Sequence, residues 1–294
     1  MSKTRFTSRV AVVFMVGLVL SGCSIKLAYN NVDRLIRWGI SDYVDLNADQ
    51  KERLNVEIKR IHYWHRVNHL PLYAEFTKGL AVTLTDSVSV DEVQALFDHI
   101  TGWVDEMESE ITPVVIDMMI SLTDEQIAAL PAKLEKSNVE IAEPELDAEL
   151  ADAQALWAKE VRQSLRPFVG RLNREQKAYI ERRALGYEPE RVLWAEYRRR
   201  FQNALLSLLE TRSDRTKFEL GYRQLIAKRE TFYGPELDQI YKLNQRLNLE
   251  TGIRVLSMLT ERQSAKFAEE LVELSEDFAE LAAEADDLAS PSST

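Results

Sequence analysis

The chain has 294 residues, 37 of them basic and 48 acidic, for a net charge of −11, and a single cysteine. An intramolecular disulfide is therefore impossible. Gly and Pro together make 18 residues, about 6% of the chain against a usual share of about 12%, so collagen-like, disulfide-stapled and low-complexity classes are excluded as well. Abundant Ala, Leu, Glu and Arg favour helix over sheet, and the 45% of hydrophobic residues suffices for a normal core.

Lys3, Arg5 and Arg9 precede an apolar run from Val10 to Leu20. The run is well short of the roughly 20 residues that span a bilayer as a helix and has the dimensions of a secretory leader. It closes on Leu20-Ser21-Gly22-Cys23, which resembles the bacterial lipobox. That resemblance implies diacylglycerol on the Cys23 sulfur, removal of residues 1–22, acylation of the new amino group, and a mature chain of 272 residues. At about 0.8 kcal/mol per buried methylene, one acyl chain binds marginally and three hold almost permanently. Ser24 stands where an aspartate would favour retention in the inner membrane, so the expected location is the periplasmic face of the outer membrane. No later apolar run approaches 18 residues, and the body is expected to be anchored, not spanning. Nucleic acid is not an expected partner, given this compartment and a mature net charge of −14.

Residues 23–45 form the lipidated terminus and a first helix. Ile25, Tyr29, Val32, Ile36, Ile40 and Tyr43 fall on one helical stripe, which predicts packing on the body and leaves no long tether. Contact of Lys26, Arg34, Arg37 and Trp38 with lipid headgroups is the second reading. Residues 46–289 follow as one helical domain. Four segments within it read alike: Leu46-Asn47-Ala48-Asp49-Gln50, Leu122-Thr123-Asp124-Glu125-Gln126, Leu172-Asn173-Arg174-Glu175-Gln176 and Leu259-Thr260-Glu261-Arg262-Gln263. In each, Asn or Thr can cap a helix while Gln reaches back to the cap's N–H and Leu staples the entry. Separations of 76, 50 and 87 residues are uneven, so the repeat reads as a capping device and not as a fold unit.

The first of these launches a helix that stops near Pro71, with a shorter one to about Leu84. Further helices are expected over 90–111, 113–120, 124–142, 145–169, 174–185, 189–210, 214–233 and 235–257, with Pro113, Pro144, Pro189 and Pro235 at or near starts. Pro131 predicts a kink. The last helix carries Phe267, Leu271, Leu274, Phe278, Leu281, Ala285 and Leu288, a seam expected to lie on another long helix. Residues 290–294 read as a disordered tail. The fold class is all-α, a multi-helix bundle of about ten helices with a long C-terminal helix.

Charge is segregated. Residues 86–160 hold 19 acids and 3 bases, 162–229 hold 17 bases and 8 acids, and 269–287 hold nine acids and no base. Basic and acidic helices facing one another inside the fold is the simpler reading. The alternative is an electropositive face around Arg182, Arg183, Arg191, Arg198, Arg199 and Arg200 for anionic envelope polymers or lipid phosphates.

No Gly-rich phosphate loop, Ser elbow, His-Glu-x-x-His or Cys pair is present, and an acylated Cys23 offers no thiolate. No enzyme activity and no cofactor are expected. His62, His65 and His69 gather within eight residues beside Tyr63, Trp64 and Arg66. Their spacing puts them along one side of a helix, where neighbours about 5 to 6 Å apart could share a metal. No fourth ligand is local, since Glu57 and Glu75 lie well along the chain, and half-buried histidines bonded to neighbouring helices are the simpler reading. The stripes Trp194, Tyr197, Phe201, Leu205, Leu208 and Phe218, Tyr222, Leu225, Phe232 read as core.

The lipobox, the run Asp42-Tyr43-Val44-Asp45-Leu46 leading to Gln50, and His62-Tyr63-Trp64-His65-Arg66 followed by Leu70-Pro71-Leu72-Tyr73-Ala74 resemble a family of uncharacterised proteobacterial lipoproteins over nearly the whole mature chain. The resemblance implies a helical fold in the envelope and nothing catalytic. The Leu-Thr-x-x-Gln pair at 122 and 259, with Asn variants at 46 and 172, is similar to the signature of small periplasmic chaperones of the Spy and CpxP type, which are shorter and cradle clients in a helical dimer. The expected function is non-catalytic binding or scaffolding of envelope proteins or polymers, with chaperone-like capture of clients second and metal binding third.

Overall fold

The computed structural model describes residues 23–83 and 90–289; the expected leader, the stretch around Leu84 and the expected tail at 290–294 lie outside them. Among the described residues α1 (Cys23–Asn30) and α2 (Val32–Ser41) lead into α3 (Ala48–Asn68), α4 (Leu70–Thr83), α5 (Val90–Ile120) and α6 (Asp124–Leu146). Then follow α7 (Leu150–Val169), α8 (Arg174–Ala184), α9 (Arg191–Leu209), α10 (Arg215–Ala227), a 3₁₀ turn at Arg229–Phe232, α11 (Gly234–Ser257) and the long α12 (Glu261–Ala289). The protein is an all-α bundle ending in a long helix.

All four expected caps are made. Asn47, Thr123, Asn173 and Thr260 each accept from the backbone N–H of the Gln three residues on, whose side chain accepts from the cap's own N–H. The same glutamines also join the motifs in pairs. Gln50 Nε2 donates to Gln126 Oε1 at 3.0 Å, and Gln126 Nε2 donates back to Gln50 Oε1 at 2.8 Å. Gln176 and Gln263 do likewise at 2.8 and 3.0 Å. Each Nε2 spends its second proton on the carbonyl two residues before the partner's cap, at Ser121, Asp45, Met258 and Arg171. Every amide valence is satisfied, which is what permits Gln50, Gln176 and Gln263 to be buried. The motif is therefore a packing unit as well as a cap, a correction to the expectation from its uneven spacing. Motif one pairs with two and three with four, and each pair ties together two helix–turn–helix segments.

Two prolines behave otherwise than expected. Pro113 lies inside the continuous α5, so the expected break at 112 is absent, while Pro131 lies inside α6, the helix expected to contain it. A proline forfeits one i→i−4 bond and crowds one carbonyl, which a long, well-packed helix survives. Pro144 falls within the last turn of α6, and the chain breaks after it, at 147–149. The expected helix 214–233 is interrupted at Lys228, and Gly234 then takes φ 76°, the left-handed region open to glycine, before α11.

The segregated charges face one another. Arg212 pairs with Asp124, Arg215 with Asp117, Arg229 with Glu108, Arg199 with Glu135 and Arg191 with Glu160, joining the basic stretch 162–229 to the acidic stretch 86–160. The acidic α12 receives Lys26 and Arg66. The seam of α12 buries Leu271, Leu281 and Ala285. It packs most extensively on the short α4, where Ser275 donates to the Ala74 carbonyl, and also on α7 and α3.

Candidate functional site

The part of the molecule nearest the candidate lipidation residue is built around α1. Ile25 is buried. Lys26 bonds Asp277 at 3.0 Å and Glu280 at 2.6 Å on α12. Asn30 accepts from Arg66 and donates to Glu284. Tyr29 lies against His62, its ring centroid 4.5 Å away, while its hydroxyl is 2.7 Å from His65 Nδ1. The Arg66 guanidinium sits 4.9 Å over the Tyr29 ring and donates to the Leu281 carbonyl at 2.6 Å. With Arg66 only 3% exposed, α1, α3 and α12 are held together by one buried cation and its acceptors.

The three histidines extend this contact into an aromatic column. His65 and His69 stack at 5.3 Å with planes 4° apart, and Tyr73, Trp64, Trp103 and Phe278 continue it. Burial disfavours the charged imidazole, so His62 is pushed down to about 4 and His65 to about 3, with neighbouring cationic groups acting in the same direction. His69 is lowered by burial in spite of Glu106, whose carboxylate lies 3.7 Å from Nε2. The Tyr29 hydroxyl and His65 Nδ1 share a hydrogen bond whose donor is set by the imidazole tautomer. Parallel stacked rings do not converge, and among the described residues no three His, Cys, Asp or Glu side chains are placed to hold a metal ion together. His62 Nε2, His69 Nε2 and Arg66 Nε are buried without a hydrogen-bond partner. The arrangement does the work of a mount for α1.

Arg198, Arg199 and Arg200 of the expected electropositive face are engaged within the fold. Arg198 donates to Asn138 Oδ1 at 2.9 Å and to Ser137, and Asn138 in turn is buried against Gln202. Arg199 grips Glu135 with two bonds of 2.8 Å, and Arg200 donates to the carbonyls of Phe232 and Tyr233. All three serve as ties from α9 to α6 and to the 3₁₀ turn. Cations without an ion pair among the described residues gather elsewhere, as Arg171, Arg174 and Lys177 around a shallow depression of about 610 Å3 at the start of α8. Two carboxylates near Arg191 are withdrawn from solvent: Glu145 accepts from the Tyr187 hydroxyl and the Arg191 N–H, while burial pushes the neighbouring Glu190 up to about 7.

The sequence placed the histidines on one helix face but did not reveal that Tyr29 would meet them, nor that the glutamines would pair. Equal spacing of Gln from Leu in all four motifs was the available signal for the second.

Residues 42–238 match the model of DUF6279, a family of unknown function. The chain belongs to this family. The family match begins at Asp42, the first residue after α2, and ends within α11, so it takes in three of the four glutamine motifs, the histidine column and Arg198 to Arg200. No curated protein and no solved structure matches the chain.

Proposed function

We propose that this protein is an outer-membrane lipoprotein, acylated at Cys23 on the periplasmic side, that acts as a non-catalytic binding or scaffolding component of the envelope. The observation that carries the reading is the absence of slack behind the lipid site. Helix α1 starts at Cys23 itself and is fastened two residues later through Ile25, Lys26, Tyr29 and Asn30. An anchor so mounted presents the body in one orientation, which suits a scaffold better than a tethered domain that searches for its ligand. No described helix is long and apolar enough to cross a membrane, in keeping with attachment by lipid. Envelope proteins are the favoured partners, since Arg198, Arg199 and Arg200, expected to meet anionic polymers, are engaged within the fold. Fractionation tests this: the wild-type chain sediments with outer membranes and a Cys23→Ser variant does not; equal distribution of the two refutes it.

A second reading has its own support. The glutamine pairs build the chain from two successive sets of joined helix–turn–helix segments, an arrangement that goes with the resemblance to chaperones carrying the Leu-Thr-x-x-Gln signature. Suppression of client aggregation at near-stoichiometric ratio supports it, and no effect removes it.

A further inference from the structure

We infer that the outward face of α2, with Leu27 of α1 beside it, is a membrane-contact surface that lies in the interfacial layer of the bilayer holding Cys23. The inference rests on the anchored reading and adds to it the surface by which the body meets the lipid. Helix α2 buries none of its residues completely, although it carries Leu35, Ile36 and Trp38. Leu27 is 67% exposed, Leu35 52%, Ile36 39% and Trp38 68%. A solitary exposed leucine needs no explanation. Leu27, Leu35 and Trp38, three large apolar side chains within twelve residues and next to the proposed lipidation site, form a patch that does.

The inner side of α2 is already occupied. Arg37 bonds Asp33 at 2.6 Å and Asn55 of α3 at 2.9 Å, and Ile40 packs against the cluster of Leu46, Leu54 and Ile58. At 100° per residue Leu35 and Trp38 share the opposite side, flanked by Arg34, which is exposed and has no ion pair among the described residues. Leucine and tryptophan sinking to the acyl boundary, with an arginine at the level of the phosphates, is the composition of a helix lying in a membrane interface. Geometry brings the lipid to it. From Cys23 to Trp38 the path is at most about 22 Å of helical rise, and the pinning of α1 keeps the acyl chains from swinging away. A protein groove is the other possible occupant, but it would have to reach a patch that the anchor itself holds at the membrane.

The test uses the purified full chain on vesicles of phosphatidylethanolamine and phosphatidylglycerol with brominated acyl chains, comparing wild type with Trp38→Phe, a conservative change at an exposed site. Bromine quenches a tryptophan only at acyl depth. The expected result is quenching of wild-type fluorescence that is lost in Trp38→Phe. Identical quenching of the two overturns the inference, as does crosslinking from position 35 to a protein in cells combined with unquenched Trp38 on vesicles. The mass of Cys23, read on the same sample, separates this from the anchored reading. An acylated Cys23 with no difference between the variants ends the inference alone, and quenching with an unmodified Cys23 ends the anchor alone.

Discussion

Removing Gln176 gives the sharpest test of the paired-motif architecture. The residue is fully buried and its side chain makes four hydrogen bonds: it accepts from the Asn173 N–H at 2.9 Å and from Gln263 at 3.0 Å, and donates to the Met258 carbonyl at 2.9 Å and to Gln263 at 2.8 Å. Neutral bonds contribute about 1 kcal/mol each net, and an abandoned buried partner costs about 1 to 3 kcal/mol. Water reaches the exposed Asn173 end, so Gln176→Ala is expected to destabilise by about 3 kcal/mol. Gln126→Ala, at the half-buried pair, costs about 1 to 2 kcal/mol. The reciprocal bonds also demand coupling. Because the two mutual bonds are lost once in Gln176→Ala/Gln263→Ala but counted in both single variants, the double variant falls short of the summed costs by about 1 to 2 kcal/mol. Denaturant unfolding followed by far-ultraviolet circular dichroism measures all of these. Additivity to within about 0.5 kcal/mol, or a Gln176→Ala cost below that of Gln126→Ala, refutes the reasoning.

Further outcomes follow from the buried charges. Glu190, raised to about 7 by burial, favours its protonated form in the fold, and the stability this brings is lost as pH rises from the unfolded carboxylate range through about 7. Glu190→Gln therefore raises the melting temperature near pH 8 and leaves it unchanged near pH 4.5; a gain of equal size at both pH values contradicts this. The histidines act in the opposite sense. With His62 and His65 lowered to about 4 and 3, the folded chain binds fewer protons than the unfolded one below about pH 6.5. In a Glu190→Gln background the melting temperature should decline between about pH 6.5 and 5, before ordinary carboxylates titrate, and a flat profile there would falsify the column's neutrality. Arg198→Ala, which abandons the buried Asn138, should cost more than Arg199→Ala, whose exposed pair with Glu135 is worth about 0 to 1 kcal/mol. Leu35→Gln, at an outward position of α2, should alter stability by less than about 0.5 kcal/mol; a larger loss would show that this face is packed.

Much of the fold was legible because its signals are local. Asn47, Thr123, Asn173 and Thr260 announce helix starts from within four residues, and Pro71 and Pro235 sit where a missing N–H costs least. The opposed charge of residues 86–160 and 162–229 foretold which helices meet, although not that Arg198, Arg199 and Arg200 would all be taken up by that contact. What could not be read depends on distant residues. Gln50 and Gln126 stand 76 positions apart, and nothing in either motif names its partner. Pro113 breaks no helix because the packing around α5 outweighs one lost bond. The histidines' spacing puts them on one face but names no partner, and it is Tyr29, 36 residues from His65, that meets His62 and His65 there.

The central claim is that an acylated Cys23 fixes a rigidly mounted helical body to the envelope, and intact mass spectrometry of the protein isolated from its cells tests it most directly. A chain starting at residue 23 that carries diacylglycerol and a further acyl group is the predicted result. A free thiol at Cys23 with the preceding residues still attached would contradict it.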